Sequence, residues 1–221
     1  MSPDRTQRLI GELARDLAPV HRVPRLRFSV AMVVGIVAAT ALIAFWMQGL
    51  RPNLADALRF DPVFGGVFVG LVLTGVGAAL AAVAAATPGR QRVVRAGAAT
   101  GLVGGLGALA LCLVGVAGAG FDAGSPLSSD RMCLGQVFRL AILPSVALAV
   151  VLARGWTSSP LAAAALALVA GVALGAMVTH LLCVFGGARH LLLGHLSGLL
   201  LFTGLGVVPL ATLLRHLARA R

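Results

Sequence analysis

Six long apolar runs, separated by short polar connectors, make up most of the chain after its first 27 residues. A helix needs about 20 predominantly apolar residues to cross a bilayer, and each run reaches that length. We therefore predict an all-α polytopic membrane protein with six transmembrane helices in one domain, residues 28–214. The predicted spans are residues 28–47, 63–86, 96–117, 134–153, 160–184 and 191–213.

The tail before the first run, residues 1–27, has a different pattern, with apolar side chains at helical spacing among charged ones. Pro3 is suited to the first turn of a helix, and Pro19 ends it. Because the apolar positions recur three to four residues apart, they form one stripe on an amphipathic helix. The stripe consists of Leu9, Ile10, Leu13 and Leu17.

This tail helix has two interpretations. It can lie on the lipid surface, as basic amphipathic segments often do, or its leucine stripe can enter a groove on a soluble protein. Asp4, Glu12 and Asp16 weaken the first interpretation, because an anionic leaflet repels acidic side chains. The residues alone leave both interpretations open.

Composition excludes a soluble globular protein, since 59% of the residues are hydrophobic and the mean hydropathy is +0.98. The net charge is +11, and the chain carries its positive charge on arginines, since it contains no lysine. They lie where membrane topology requires them, so we expect no direct binding to nucleic acid.

The arginines also predict an orientation, because cytoplasmic segments carry an excess of basic residues. With the N terminus inside, thirteen arginines lie on the cytoplasmic side. The outer loops hold four, Arg51, Arg59, Arg131 and Arg189. We therefore predict that the tail and the C-terminal segment, residues 215–221, are both cytoplasmic.

Histidine and cysteine residues gather near the predicted outer face, at the ends of the last three spans. Such side chains at one membrane depth can ligate zinc or another transition metal such as copper. Alternatively, Cys133 and Cys183 can form a disulfide in an oxidising compartment, or all of these residues are ordinary polar side chains at helix ends. The candidates for metal or redox sensing are Cys133, His180, Cys183, His190 and His195.

The runs contain no Asp or Glu, which argues against a proton-coupled transporter. We find no nucleophile elbow, no phosphate-binding glycine loop and no paired carboxylates, so we expect no enzymatic activity. A small transporter or metal-handling membrane protein that uses the outer cysteines and histidines remains the alternative function.

Several short segments along the chain, taken in their order and spacing, form a recognisable pattern: residues 9–20, 50–54, 61–64 and 88–90, then Cys133-Leu134, Pro144, Arg154-Gly155, Cys183, His190 and His195. Through these segments the chain resembles, nearly end to end, the NrsF-type membrane anti-sigma factors that regulate extracytoplasmic-function sigma factors. Within that family the carotenoid-regulating member is a candidate close relative. The chain departs from the family pattern in two places, since Gly194 replaces the usual Trp and Trp156-Thr157 replace an Ala-Pro pair.

The resemblance implies a protein of the bacterial inner membrane whose cytoplasmic tail sequesters a sigma factor. It assigns sigma-factor binding to the stripe of Leu9, Ile10, Leu13 and Leu17, with Arg8, Arg15 and Asp16 around it. It also implies release on an envelope, redox, metal or light-linked signal. The sequence does not indicate the oligomeric state.

Overall fold

The computed structural model describes residues 3–15, 26–119, 126–155 and 157–219. These residues are helical with short connectors and contain no strand, which confirms the all-α prediction. Within them, six helices are long and apolar enough to cross a membrane, as the sequence predicts. These are α2 (Leu26–Gln48), α4 (Pro62–Ala85), α5 (Gln91–Ala119), α6 (Leu127–Arg154), α7 (Pro160–Leu182) and the last helix, which begins at Ala188.

Four shorter or irregular pieces complete the described chain. The tail forms α1 (Pro3–Arg15), and α3 (Leu54–Phe60) lies in the connector between α2 and α4. The last helix starts as one α-turn, α8 (Ala188–His190), and continues as a π-helix over Leu191–Leu196. It then becomes α9 (Ser197–Arg219).

Helices α4 and α7 lie inside the bundle, whereas α2 and α5 expose most of their surface. Glycines let α4 and α5 approach closely, since a Cβ built on Gly104 would lie 2.6 Å from the carbonyl oxygen of Gly70. A Cβ on Gly77 would likewise lie 2.6 Å from the carbonyl oxygen of Gly97. Close backbone approach through small residues is how helices associate in lipid, where apolar burial supplies little driving force.

The buried side chains form two clusters at opposite ends of the bundle. One lies where α4 ends and α7 begins, and includes Ala82, Leu148 and Ala164. The other lies where α4 begins and α7 ends, and includes Phe64 and Leu191. The second cluster surrounds the cysteines and histidines described below.

One prediction about charge placement is wrong. Helix α6 begins at Leu127, seven residues before the predicted span, and Asp130 therefore lies in its first turn with a side chain that is almost fully buried. An acid is thus present in a candidate membrane-spanning helix. Arg189, expected in an outer loop, is also buried and lies in α8.

Candidate metal centre

Four side chains converge where α7 ends and the last helix begins. Cys133 lies in the second turn of α6, Cys183 directly follows α7, His190 ends α8, and His195 lies in the π-helix. Their potential ligand atoms all lie within 4.8 Å of one another. We call these four residues the centre.

The two thiols and one imidazole of the centre are already in contact. The Sγ atoms of Cys133 and Cys183 are 3.3 Å apart, and Cys183 Sγ lies 3.1 Å from Nε2 of His190. Both cysteines are free thiols. Tetrahedral Zn²⁺ with bonds of about 2.0–2.3 Å needs ligand atoms about 3.3–3.8 Å apart. The donor set and its spacing therefore fit a soft or borderline metal ion after a small contraction.

His195 is the member of the centre whose ring lacks hydrogen bonds. It is completely buried, and neither of its ring nitrogens bonds to a residue that the structure describes. Buried polar atoms are rarely left without a partner unless they serve a site. The π-helix that carries His195 is also a local form that occurs often at functional sites. These two features identify His195 as a candidate ligand.

Asp130 and Arg189 extend the centre and were not recognised as functional residues from the sequence. The Nδ1–H group of His190 donates to Asp130 Oδ1 at 2.6 Å, and Arg189 Nη2 donates to Asp130 Oδ2 at 3.2 Å. Asp130 precedes Cys133 by three residues on a helix, so both side chains lie on one face. That spacing is the sequence signal that could have identified Asp130.

His180 lies beside the centre but outside the group of four. Its Nε2–H donates to the carbonyl oxygen of Phe64 at 3.0 Å, and its ring stacks on Phe64 with centroids 3.9 Å apart. The ring approaches His195 edge-on at 5.4 Å. Phe64 is held in turn by the start of α4, where Asp61 Oδ1 accepts from the N–H groups of Val63 and Phe64. This geometry indicates a packing role for His180.

Arg51 joins the connector after α2 to the centre. Its guanidinium lies 4.6 Å from the centroid of the Phe64 ring, and Nη1 donates to the carbonyl oxygen of Cys183 at 3.4 Å. Its backbone N–H donates to the carbonyl oxygen of Leu181 at 3.1 Å. The chain that leads from the tail through α2 therefore contacts the segment that carries Cys183.

A cavity of about 410 Å³ lies against the thiols and supplies a route to them. Polar side chains on its wall suit the passage of a hydrated ion or a small oxidant. Cys112, the third cysteine, is buried in the apolar cluster and does not belong to the group of four. The cavity is lined by, among others, Cys133, Gln136, Arg139, Thr179, Cys183 and Phe185.

The tail helix α1 carries exposed apolar side chains. Leu9 and Ile10 are 53% and 54% exposed, and Arg8 is exposed beside them. Leu13 and Arg15 lie in α1, but their side chains are outside the described part of the structure. Asp16 and Leu17, also predicted to contact a partner, lie outside the described residues.

A comparison with known protein families identifies the family of this chain. The family described as negative regulator of sigma F matches residues 13–216, which cover the centre and the bundle and begin within α1. The chain belongs to this family. As a member of the negative regulators of sigma F, it is a membrane anti-sigma factor that acts in transcription regulation. No curated protein and no solved structure matches it, and the closer likeness to the carotenoid-regulating member stays a prediction.

Proposed function

We propose that this anti-sigma factor holds an extracytoplasmic-function sigma factor at the bacterial inner membrane through α1 and releases it when the centre receives a signal. The observation that carries the proposal is the exposure of Leu9 and Ile10 on α1. In a family of sigma regulators, an unpartnered apolar stripe on a short helix fits a groove on the sigma factor. Arg8, Arg15 and Asp16 then lie at the rim of the contact.

The proposed orientation places α1 and both chain termini in the cytoplasm, with the centre near the outer face. The support is the distribution of arginines at the two ends of the bundle. Arg90, Arg92, Arg95 and Arg154 all lie at the end where α4 and α6 finish, and all are exposed or partly exposed. Arg189 is buried in an ion pair, so it carries little weight in a rule that counts loop charges.

The proposed signal is a transition-metal ion or an oxidant that reaches the two thiols. A metal would be held by Cys133, Cys183, His190 and His195, and it would supply a charge that binds thiolates and neutral imidazoles. An oxidant would act on two sulfur atoms that lie 3.3 Å apart. Either event changes the segment whose carbonyl accepts a hydrogen bond from Arg51, and this segment is connected to α2.

Changing the sigma factor from almost fully bound to almost fully released needs a change in binding free energy of about 5.5 kcal/mol, or removal of the membrane anchor. Both routes are compatible with a signal at the centre. A conformational change would act through Arg51 and α2, whereas proteolysis would act on the connectors. The tail must release its partner in both cases.

The test of the docking role is a pull-down of the full-length protein from membranes of the source cell, with identification of the retained sigma factor by mass spectrometry. We expect a double variant, Leu9→Asp with Leu13→Asp, to lose the sigma factor while inserting into the membrane normally. The matched control is Gly11→Asp, on the opposite face of α1, where a Cβ meets nothing within 4 Å. Retention by the double variant at the level of the control would reject the proposal.

The second candidate function is a metal-handling membrane protein, which the ligand geometry of the centre favours. It predicts that deletion of residues 1–20 leaves metal tolerance of the cell unchanged and that changing His190 or His195 removes it. The anti-sigma proposal predicts instead that the deletion releases the sigma factor constitutively. One deletion strain therefore distinguishes the two.

A further inference from the structure

We propose that Asp130 is a positioning residue that orients His190 toward the two thiols, so that the metal affinity of the centre depends on a carboxylate that does not touch the ion. This inference rests on the metal-binding part of the proposed function. It does not depend on the docking of a sigma factor by α1.

The hydrogen bonds of Asp130 determine which nitrogen of His190 faces the thiols. A carboxylate oxygen accepts, so the 2.6 Å contact places the hydrogen of His190 on Nδ1. In the neutral imidazole, Nε2 then carries the ring's lone pair, and it lies 3.1 Å from Cys183 Sγ. The imidazole is thus held in the tautomer and the direction that a metal ligand requires.

Arg189 fixes the carboxylate itself. It donates to Oδ2 of Asp130 while His190, the next residue along the chain, donates through its ring to Oδ1. Both carboxylate oxygens are therefore used, and the side chain of Asp130 cannot rotate without breaking a contact. Asp130 is 4% exposed and Arg189 8% exposed, so solvent offers poor replacements for these bonds.

Asp130 connects α6 to α8 at the centre, because it lies on α6 and its two hydrogen-bond donors lie on α8. Asp130 lies in the first turn, where the positive end of the helix dipole favours a carboxylate. One turn later the same helix supplies Cys133, a proposed ligand. A single helix therefore provides one ligand and the group that orients another ligand on α8.

Outer-shell partners of this kind contribute about 10–100-fold to metal affinity. We therefore test Asp130→Ala and the isosteric Asp130→Asn in the full-length protein in lipid nanodiscs. The probe is Co²⁺, whose d–d and thiolate charge-transfer bands report the ligand set, followed by competition with Zn²⁺. Asp56→Asn, an exposed acid on α3, is the matched control and should bind as the unmodified protein does.

Asp130→Ala should weaken Co²⁺ binding by about 10–100-fold while the charge-transfer intensity per bound ion, which reports the two thiolates, stays unchanged. Asp130→Asn keeps the side-chain volume and one acceptor oxygen. Its Co²⁺ affinity should therefore lie between the affinities of the unmodified protein and of Asp130→Ala. If Asp130 acts through His190, the double variant Asp130→Ala with His190→Ala should bind no more weakly than His190→Ala alone. If Asp130 instead acted only on the fold, the double variant would lose more Co²⁺ affinity than His190→Ala alone.

Unchanged affinity in both single variants would overturn the proposal, and so would additive losses in the double variant. Absence of a charge-transfer band from the unmodified protein would overturn it together with the metal-binding role of the centre. That last result would leave the pull-down of the sigma factor by α1 unaffected, so the two failures are distinguishable.

Discussion

The centre and the tail helix differ in almost every physical respect. Three side chains of the centre are buried, His195 completely, Cys133 is half-buried, and all four have neighbours from several helices. Leu9 and Ile10 on α1 are instead more than half exposed. Rigid burial suits selective recognition of a small ion or oxidant, whereas exposed leucines suit a large protein groove. The difference suggests that signal recognition and partner binding are carried by separate regions.

The strongest challenge to this separation is to remove both thiols. We expect Cys133→Ser combined with Cys183→Ser to abolish measurable Co²⁺ binding, because both sulfur ligands are lost. Retention of the sigma factor without a signal should stay at the level of the unmodified protein, because α1 is untouched. Co²⁺ titration and membrane pull-down measure the two effects. Loss of retention would show that the regions are not separate.

A finer distinction separates His195, a member of the centre, from His180, which lies beside the centre. His195→Ala should weaken Co²⁺ binding by at least the 10–100-fold that an outer-shell partner costs. His180→Ala should change the affinity little, but it should lower the thermal stability because a buried ring stacked on Phe64 is lost. Equal losses of affinity in the two variants would place His180 among the ligands.

On the tail, the corresponding test is a mild truncation of the stripe. Ile10→Ala removes apolar surface that the sigma factor would bury, and we expect retention to weaken by about tenfold. The control is Gln7→Ala, an exposed polar side chain beside Ile10 that does not belong to the stripe. Binding of the purified sigma factor to nanodiscs gives both values. An equal effect of the two substitutions would argue against a specific stripe.

The smallest expected effect concerns the support of the centre at the start of α4. Asp61→Ala removes a side chain that accepts from Val63 and Phe64, and loss of such a cap costs about 1 kcal/mol. We expect a lower unfolding temperature in detergent, with Asp56→Ala as the exposed control. Metal affinity should change less than in Asp130→Ala. A loss of metal affinity larger than that of Asp130→Ala would show that the start of α4 contributes directly to the centre.

The apolar runs were sufficient to predict the six membrane helices, because about 20 predominantly apolar residues have few other stable arrangements. Cys133, Cys183, His190 and His195 were also candidates, since each stands near the end of a predicted span. Asp130 and Arg189 were missed because a charge rule assigns such residues to loops, whereas here they neutralise each other in a buried pair. The π-helix has no pattern of its own, and it changes which residues share a face with His195.

The central claim is that α1 and the centre lie on opposite sides of the membrane. Reporter fusions measure this most directly, with a fluorescent protein that folds only in the cytoplasm and a phosphatase that is active only outside it. Fusions at Met1 should fluoresce without phosphatase activity, and insertions at Asn53 in the connector before α3 should behave in the opposite way. Phosphatase activity from the fusion at Met1 would contradict the account, because the stripe on α1 would then lie away from every sigma factor.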